Sequence, residues 1–559
     1  MFLPVTAEEM SKFGWDKLDI ILITGDAYID SPFIGVSLIG KVLFNAGYRV
    51  GIIAQPDIYS DKDITRLGEP ELFWGITSGC VDSMVANYTA LKKKRKSDDF
   101  TPGGKNTKRP DRAVIVYSNL IRRYFKNTKP LVLGGIEASL RRIAHFDYWS
   151  DEIRRSILFD AKADILIYGM GEKTVLELAE SLKKGKDIRN LRGLCYIAKE
   201  PAKNCVELPS YEEVKKDKFK FSQMFGLFYK NCDPLTAKTL CQKQDIRYLI
   251  QNQPNFYLNQ KELDEIYDLD YERDVHSFDK KEGDVKALET IKFSITLHRG
   301  CYGECNFCSI AVHQGKTVRE RSENSILKEA QKLSKLPDFK GYILDVGGPT
   351  ANMYGFKCKK LTEKGACKDK KCIYPEICKN LKVNHKKQIE LLRKIRKLKG
   401  IKKVFIASGI RYDLILCDKE FGNIYLKELI EHHISGQLKI APEHTVENVL
   451  KRMGKSSKDK LIQFKNEFYR INKKIGKRQF LTYYLIAAHP GCEMKDMKDL
   501  KKFVKLELKI IPEQIQIFTP TPSTYSTLMY YTEIDPFTGE KIFVEKDNRK
   551  KELQKKVII

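Results

Sequence analysis

Short β-rich runs alternate with helical stretches along most of this 559-residue chain, and that alternation restricts its fold more than any other feature. DIILITG (19–25), RVGIIAQ (49–55), PLVLGG (130–135) and ADILIYG (163–169) are nearly continuous apolar runs, as strands covered on both faces must be. GVSLIGKVLFNAGY and EKTVLELAESLKKG carry apolar residues at helical spacing. The pattern predicts a parallel, doubly wound, Rossmann-like α/β sheet over residues 1–200. Ligands of such sheets sit beyond the carboxyl ends of the strands, here the loops 25–33, 75–79 and 134–139. Glycines in those loops serve either a ligand or a tight turn.

Residues 90–112, ALKKKRKSDDFTPGGKNTKRPDR, interrupt this region and read as an exposed loop or lid. Residues 201–285 are charged and irregular and are expected to connect two halves. Over 286–535 the alternation is cleaner. KFSITLH (292–298), GYILDVGG (341–348), KKVFIASGI (402–410), GQLKIAPE (436–443), FLTYYLIAA (480–488) and EQIQIFTPT (513–521) are the strand candidates. Of the helices between them, one is expected to be capped by Ser322, with Ile326, Ala330 and Leu333 on one face, and another by Asn384. Six βα steps predict a partial (β/α)6 barrel, whose chemistry belongs on the loops after the strands. Residues 536–559 read as a basic tail.

Length predicts two or three domains. No uncharged apolar run reaches the roughly 18 residues of a membrane span, and the N-terminus lacks a secretory signal, so a cytoplasmic location is expected. Fourteen cysteines are then expected to be reduced. Seven scattered ones (Cys80, Cys195, Cys205, Cys232, Cys241, Cys417 and Cys492) read as small buried hydrophobes. The net charge of +27 arises from 100 basic and 73 acidic residues. Lysine is spread through nearly every segment beside Glu or Asp, so solvated surfaces account for it better than a polyanion footprint does.

The remaining cysteines form two groups. HRGCYGECNFCSIAVHQGK (298–316) places Cys301, Cys305 and Cys308 within eight residues, just after the first barrel strand. Zinc would require a fourth ligand, His298 or His313. A [4Fe–4S] cube takes one thiolate per iron, so three thiolates leave one iron open to a small molecule. Gly300 and Gly303 let the loop wrap such a cube and offer amides to its sulfurs, and Phe307 shields it or faces a ligand ring. The second group, Cys358, Cys367, Cys372 and Cys378, lies in an insertion at 356–380 after the second barrel strand. Its four thiols suit a structural zinc or an auxiliary [4Fe–4S] cluster, or stay unligated.

C-x3-C-x-aromatic-C after the first strand of a partial barrel resembles the radical SAM superfamily. The resemblance implies that the open iron binds S-adenosylmethionine (SAM), and that an electron from the cluster cleaves it to a 5′-deoxyadenosyl radical that attacks a substrate. A reducing partner such as flavodoxin or ferredoxin is implied too. The superfamily often carries Gly-Gly-Glu after the second strand. Here Gly347 and Gly348 precede Pro349, so backbone carbonyls are expected to meet the SAM amino group. Ser408 and Arg411 stand where ribose and carboxylate contacts fall, and Glu443 is a candidate for ribose or substrate.

HRGCYGECNFCSIAVHQG, DVGGPTANMYG, FIASGIRYDL, LKIAPEHT, AAHPG and FTPTPSTYSTLMYYT, with LGGIEASLRRIAHFDYW and DILIYGMGE, narrow the likeness to the YgiQ-like radical SAM proteins over nearly the whole chain. The N-terminal sheet resembles the cobalamin-binding domain that precedes some radical SAM barrels. Those domains often carry D-x-H-x-x-G after the first strand, but GDAYIDSPFIG has no histidine, which tells against a histidine-ligated cobalamin. The competing function class is a zinc-organised nucleic-acid-binding protein, with both cysteine groups structural and the charge as its footprint.

Overall fold

The computed structural model describes all 559 residues. The chain forms two compact units: Met1–Leu258 with Glu265–Lys292, and Phe293–Ile559 with Asn259–Asp264.

The first unit is built on a nine-stranded mixed sheet. Ile20–Thr24 runs parallel between Val50–Ala54 and Phe73–Thr77, and Leu131–Leu133 and Ile165–Ile167 extend the parallel half. All five residues of Ile20–Thr24 are buried, because helices cover both faces of a parallel sheet. The helix Gly35–Asn45 buries Val36, Leu38, Val42 and Leu43, and packs beside Glu172–Lys183. The sheet then turns antiparallel through Leu194–Ala198, Arg247–Gln251 and Leu240–Gln244, and ends on the short strand Val206–Leu208.

Residues 201–285 therefore do more than connect. They supply three strands, and residues 273–279 return to the loop after the first strand, where Arg273 N donates to Asp30 O at 2.8 Å and Tyr28 N to an Asp279 carboxylate oxygen at 2.8 Å. Two other expectations are overturned. Cys205 and Cys241 form a disulfide, since pairing of Val206 with Leu240 brings their Cα atoms to 5.9 Å. The insertion 90–112 is exposed over 92–97, as expected of a loop, but is anchored and not a free lid. The Arg109 side chain is fully buried between Asp26 (2.8 Å) and Asp98 (2.9 Å). A polar composition concealed a buried ion network, stable only because each charge has a partner.

In the second unit the strands between the helices pair in parallel and in chain order. Ser294–Thr296 pairs with Asp345–Gly347, and Tyr342–Ile343 pairs with Lys403–Val404. A bridge from Ile410 to Ile440 leads to Gln437–Glu443, followed by Phe480–Ala487 and Gln514–Ile517. Helices fill the intervals. Ser322 caps Glu323–Leu333 by accepting from Ser325 N at 3.1 Å, and Ile326, Ala330 and Leu333 are buried. Asn384, expected to cap the helix Lys386–Arg396, accepts from Lys386 N at 2.9 Å but lies one residue before the N-cap position, which His385 occupies.

The segment expected as a basic tail contains the helix Asn548–Ile558, which buries Lys551, Gln554 and Ile558. Gln554 accepts from Ala488 N at 3.0 Å and donates to Cys492 O at 3.3 Å. No helix of the chain is long and apolar enough to cross a membrane.

Candidate functional site

The three-cysteine loop is closed at its base by His298–Arg299 pairing antiparallel with Arg319–Glu320. Gly300 turns the chain with a φ of +77°, and a Cβ there would lie 2.3 Å from Thr317 O, so only glycine fits. Gly303 serves the sulfurs directly. Its amide donates to Cys301 Sγ at 3.3 Å, and a Cβ at that position would crowd the same sulfur at 3.2 Å. Cys301, Cys305 and Cys308 are each half-buried. Burial pushes the Cys301 thiol up, and the Cys308 thiol up to about 12.

Arg411 is brought to this loop: Nη1 donates to Cys305 Sγ at 3.5 Å. Asp413 aims it with a bidentate pair, Nε donating to Oδ1 at 2.9 Å and Nη2 to Oδ2. Burial opposes the charge on Asp413, but Arg411, with Lys455 and Lys460, outweighs it and holds the carboxyl low. Arg411 thus faces a sulfur rather than open space for a carboxylate. Thr350 Oγ1 and Met353 Sδ lie 3.7 and 3.9 Å from Cys301 Sγ and complete the wall.

The other expected contacts divide. Ser408 bonds the Asp345 carboxylate through its hydroxyl, and its amide donates to the same group at 3.0 Å. Gly347 lies against Ser408, and its carbonyl accepts from Leu297 N at 2.7 Å within the sheet. Gly348 abuts the His298 ring, which a Cβ would meet at 2.8 Å. Glu443 ends its strand buried, with a φ of +68°. Burial raises its carboxyl, with Lys455 and Arg411 opposing, and its charge is felt at Cys308. Ala488, after the next strand, shares the left-handed conformation, at +57°. Non-glycine residues held in this region gather at functional sites.

Neither histidine proposed as a fourth zinc ligand completes a tetrahedron. His298 is buried, bonds Thr350 O at 2.9 Å and is pushed down to about 4 by burial. No three His, Cys, Asp or Glu side chains anywhere converge closely enough for one ion. A cube spreads its thiolates, one per iron, so the trio and its amide and guanidinium donors fit a [4Fe–4S] cluster.

Further strand-end residues surround the loop. Asn306 N donates to Met453 O at 2.9 Å, and Asn306 O accepts from Ser526 N at 2.9 Å. Phe307 meets the His489 ring edge-on at 6.4 Å, and His489 bonds Ser526 Oγ at 2.7 Å. His444 lies 3.7 Å from Cys492 Sγ. Burial pushes His444 and His489 down to about 3, so both are neutral near pH 7.

Below the loop, the insertion 356–380 packs Cys358, Cys372 and Cys378 with Tyr302, Phe356 and Leu361, and Cys301 borders the same cluster. Lys371 Nζ donates to Glu304 O at 2.7 Å and to Asn306 Oδ1. Burial pushes this ammonium down to about 8. Cys372 is pushed up to about 12 by burial first, then by the charges of Glu304, Cys358, Cys367 and Cys378.

The loop after the first strand of the first unit, GDAYIDSPFIG, offers no histidine to a cobalt ion. The glycine notches of this unit's loops are filled from within the protein. A Cβ on Gly25 would strike Ser78 O at 2.3 Å, one on Gly79 the Asp26 carboxylate at 2.1 Å, and one on Gly135 Thr77 Oγ1 at 2.3 Å. Asp26 is itself sealed by Arg109 and by Cys80 N, which donates at 2.7 Å.

Residues 2–294 match the family described as Radical SAM N-terminal, which sets the class as a radical SAM enzyme, a class that uses a [4Fe–4S] cluster and SAM. The chain is 60% identical over 558 residues to the UPF0313 protein FN0734 of Fusobacterium nucleatum subsp. nucleatum, covering 100% of this chain and 98% of that protein. It is 51% identical to a UPF0313 protein of Thermotoga maritima over 98% of this chain and 96% of that one. The chain belongs to the UPF0313 family, the YgiQ family of radical SAM proteins.

Two solved structures share the fold at 13% identity. One is the radical S-adenosylmethionine methyltransferase TsrM from Kitasatospora setae, with cobalamin and a [4Fe–4S] cluster bound (TM-score 0.53; 91% of this chain, 73% of that one). The other is the cobalamin-dependent S-adenosylmethionine radical enzyme OxsB (TM-score 0.51; 94% of this chain, 57% of that one). The chain is thus an α/β protein with the fold of these enzymes, built around a large mixed sheet. Nothing in the fold or the relatives points to nucleic acid.

Proposed function

We propose that Cys301, Cys305 and Cys308 hold the [4Fe–4S] cluster of this radical SAM enzyme at the mouth of a partial (β/α)6 barrel formed by the second unit. When bound and reduced by a flavodoxin- or ferredoxin-type donor, the cluster supplies the electron that cleaves SAM to a 5′-deoxyadenosyl radical. The chain's own residues shape the site. The Gly303 amide and the Arg411 guanidinium compensate sulfur charge, which stabilises the more negative, reduced state. Asp413 fixes the direction of that guanidinium. Glu443, Ser408 and the Gly347–Gly348 turn line the strand ends where SAM would lie, with Glu443 offering its carboxyl to ribose hydroxyls. The turn presents backbone, and Gly347 does so with a carbonyl already shared with Leu297. His444 and His489, neutral and buried, and Phe307 add mostly apolar surface that keeps water from a radical. The first unit is an accessory domain, and no cobalamin step is proposed for it.

The observation that carries this reading is the convergence of Cys305, Arg411 Nη1 and the Gly303 amide on one patch of sulfur. Protein purified without oxygen is expected to cleave SAM on reduction, and Cys305→Ala to lose that cleavage. Unchanged cleavage in the variant would refute the assignment of the trio.

A further inference from the structure

The four cysteines of the insertion are left unused by this reading, and their setting is not that of ordinary core thiols. The insertion leaves and rejoins the barrel at a narrow neck, the bridge between Lys357 and Lys382. Its only regular element is the six-residue helix Lys359–Lys364. Cys358 is buried, but Cys367, Cys372 and Cys378 are only half-buried, a poor use of three small hydrophobes. A covalent anchor on four thiolates would supply the order that so little secondary structure cannot.

We propose that Cys358, Cys367, Cys372 and Cys378 bind a second [4Fe–4S] cluster that relays electrons to the first. The proposal rests on the trio holding the SAM-cleaving cluster. Position selects a redox cube over a structural zinc: Cys358, Cys372 and Cys378 share one apolar cluster, and Cys301 of the trio borders it.

Proximity assigns the relay. Lys371, adjacent to Cys372, is hydrogen-bonded to Glu304 O, and Glu304 is adjacent to Cys305. Cys301 borders the apolar cluster that holds Cys358, Cys372 and Cys378. The insertion exposes Lys359, Lys360, Lys364, Lys368, Lys370 and Lys379 against only Glu363, Asp369 and Glu376. That positive excess complements an acidic one-electron carrier of the flavodoxin class. The balance is simple: the carrier loses one electron, the second cluster gains it and passes it on, and cleavage of one SAM consumes it. No atom moves in the relay.

The test uses the full-length protein, purified and reconstituted without oxygen. Iron and sulfide are expected at about eight each per chain, against about four for a single cube. In the double variant Cys372→Ala/Cys378→Ala the iron content is expected to halve. SAM cleavage driven by dithionite is then expected to persist, while cleavage driven by reduced flavodoxin is lost. Cys305→Ala is expected to halve the iron too, lose all SAM cleavage, and keep a cluster whose electron paramagnetic resonance signal ignores added SAM. That last variant keeps the proposal open to test should the double variant not fold.

Wild-type protein that never exceeds one cube, zinc at one ion per chain, or iron-free Cys305→Ala would each overturn the second cluster and leave the trio's assignment intact. Equal flavodoxin-driven cleavage in the double variant would overturn the relay. Cleavage surviving in Cys305→Ala would instead overturn the assignment on which the proposal stands.

Discussion

Asp26 and Glu443 occupy equivalent places in the two units. Each stands at the carboxyl end of a parallel strand, each is buried, and burial raises each carboxyl. Their partners differ. Asp26 is paired with Arg109 at 2.8 Å, and that arginine also holds Asp98. Glu443 makes no ion pair, and Lys455 and Arg411 act on it only through their fields. A buried charge matched by a partner is structural, whereas one left unmatched is available to a ligand. The acidic residue at the strand end is thus sealed by ion pairs in the first unit and left without one in the second.

The comparison can be broken most forcefully at Arg109. Arg109→Ala strands Asp26 and Asp98 without a partner and is expected to destabilise the first unit by about 3–5 kcal/mol. Chemical denaturation should show the loss. A change under about 1 kcal/mol would mean the network is no seal.

Acid should act more on the second unit. His298, His385, His444 and His489 are buried there with depressed pKa values, against His145 and His276 in the first. Because their folded pKa lies below 6.5, the unfolded chain takes up protons first. Stability is intact above about pH 6.5 and falls as pH drops toward about 4, by about 1.4 kcal/mol per unit for each of His298, His444 and His489. Calorimetry between pH 7 and pH 5 should show the second unit's transition falling faster, and parallel shifts would contradict the comparison.

The smallest stability effect is expected at Glu443. A carboxyl raised by burial costs stability at neutral pH, so Glu443→Gln should leave the melting temperature level or slightly higher. SAM affinity, read by equilibrium binding to the reconstituted protein, should fall about tenfold, the worth of one hydrogen bond to a charged group. Lost stability with unchanged affinity would make Glu443 a structural residue like Asp26.

The strand order of the second unit was legible because each strand is a local apolar run followed by a polar or glycine-rich turn. Cys301, Cys305 and Cys308 were legible because a single loop carries them. Arg411 was found from its place after the third strand, but its target was not: the contact with Cys305 spans 106 residues. Asp413 and Thr350 carry no local signal, since their roles exist only once the strands align. The 90–112 insertion misled because paired buried charges look like solvated ones in a sequence. The antiparallel half of the sheet was missed for a related reason. Its strands, such as LCQKQ and RYLIQ, are too polar to announce themselves before their neighbours cover them.

The ties of Asn306 bear on the order of events during biosynthesis. Translation delivers the second unit's strands in the sequence in which they pair, so the ladder can lengthen as the polypeptide leaves the ribosome. The cysteine loop emerges early, yet its fastenings, Met453 O and Ser526 N, are made some 150 and 220 residues later. Until then the loop is held only by nearer ties, such as the pairing of His298–Arg299 with Arg319–Glu320 at its base. If the trio holds the proposed cluster, its iron is best delivered after these later ties have formed.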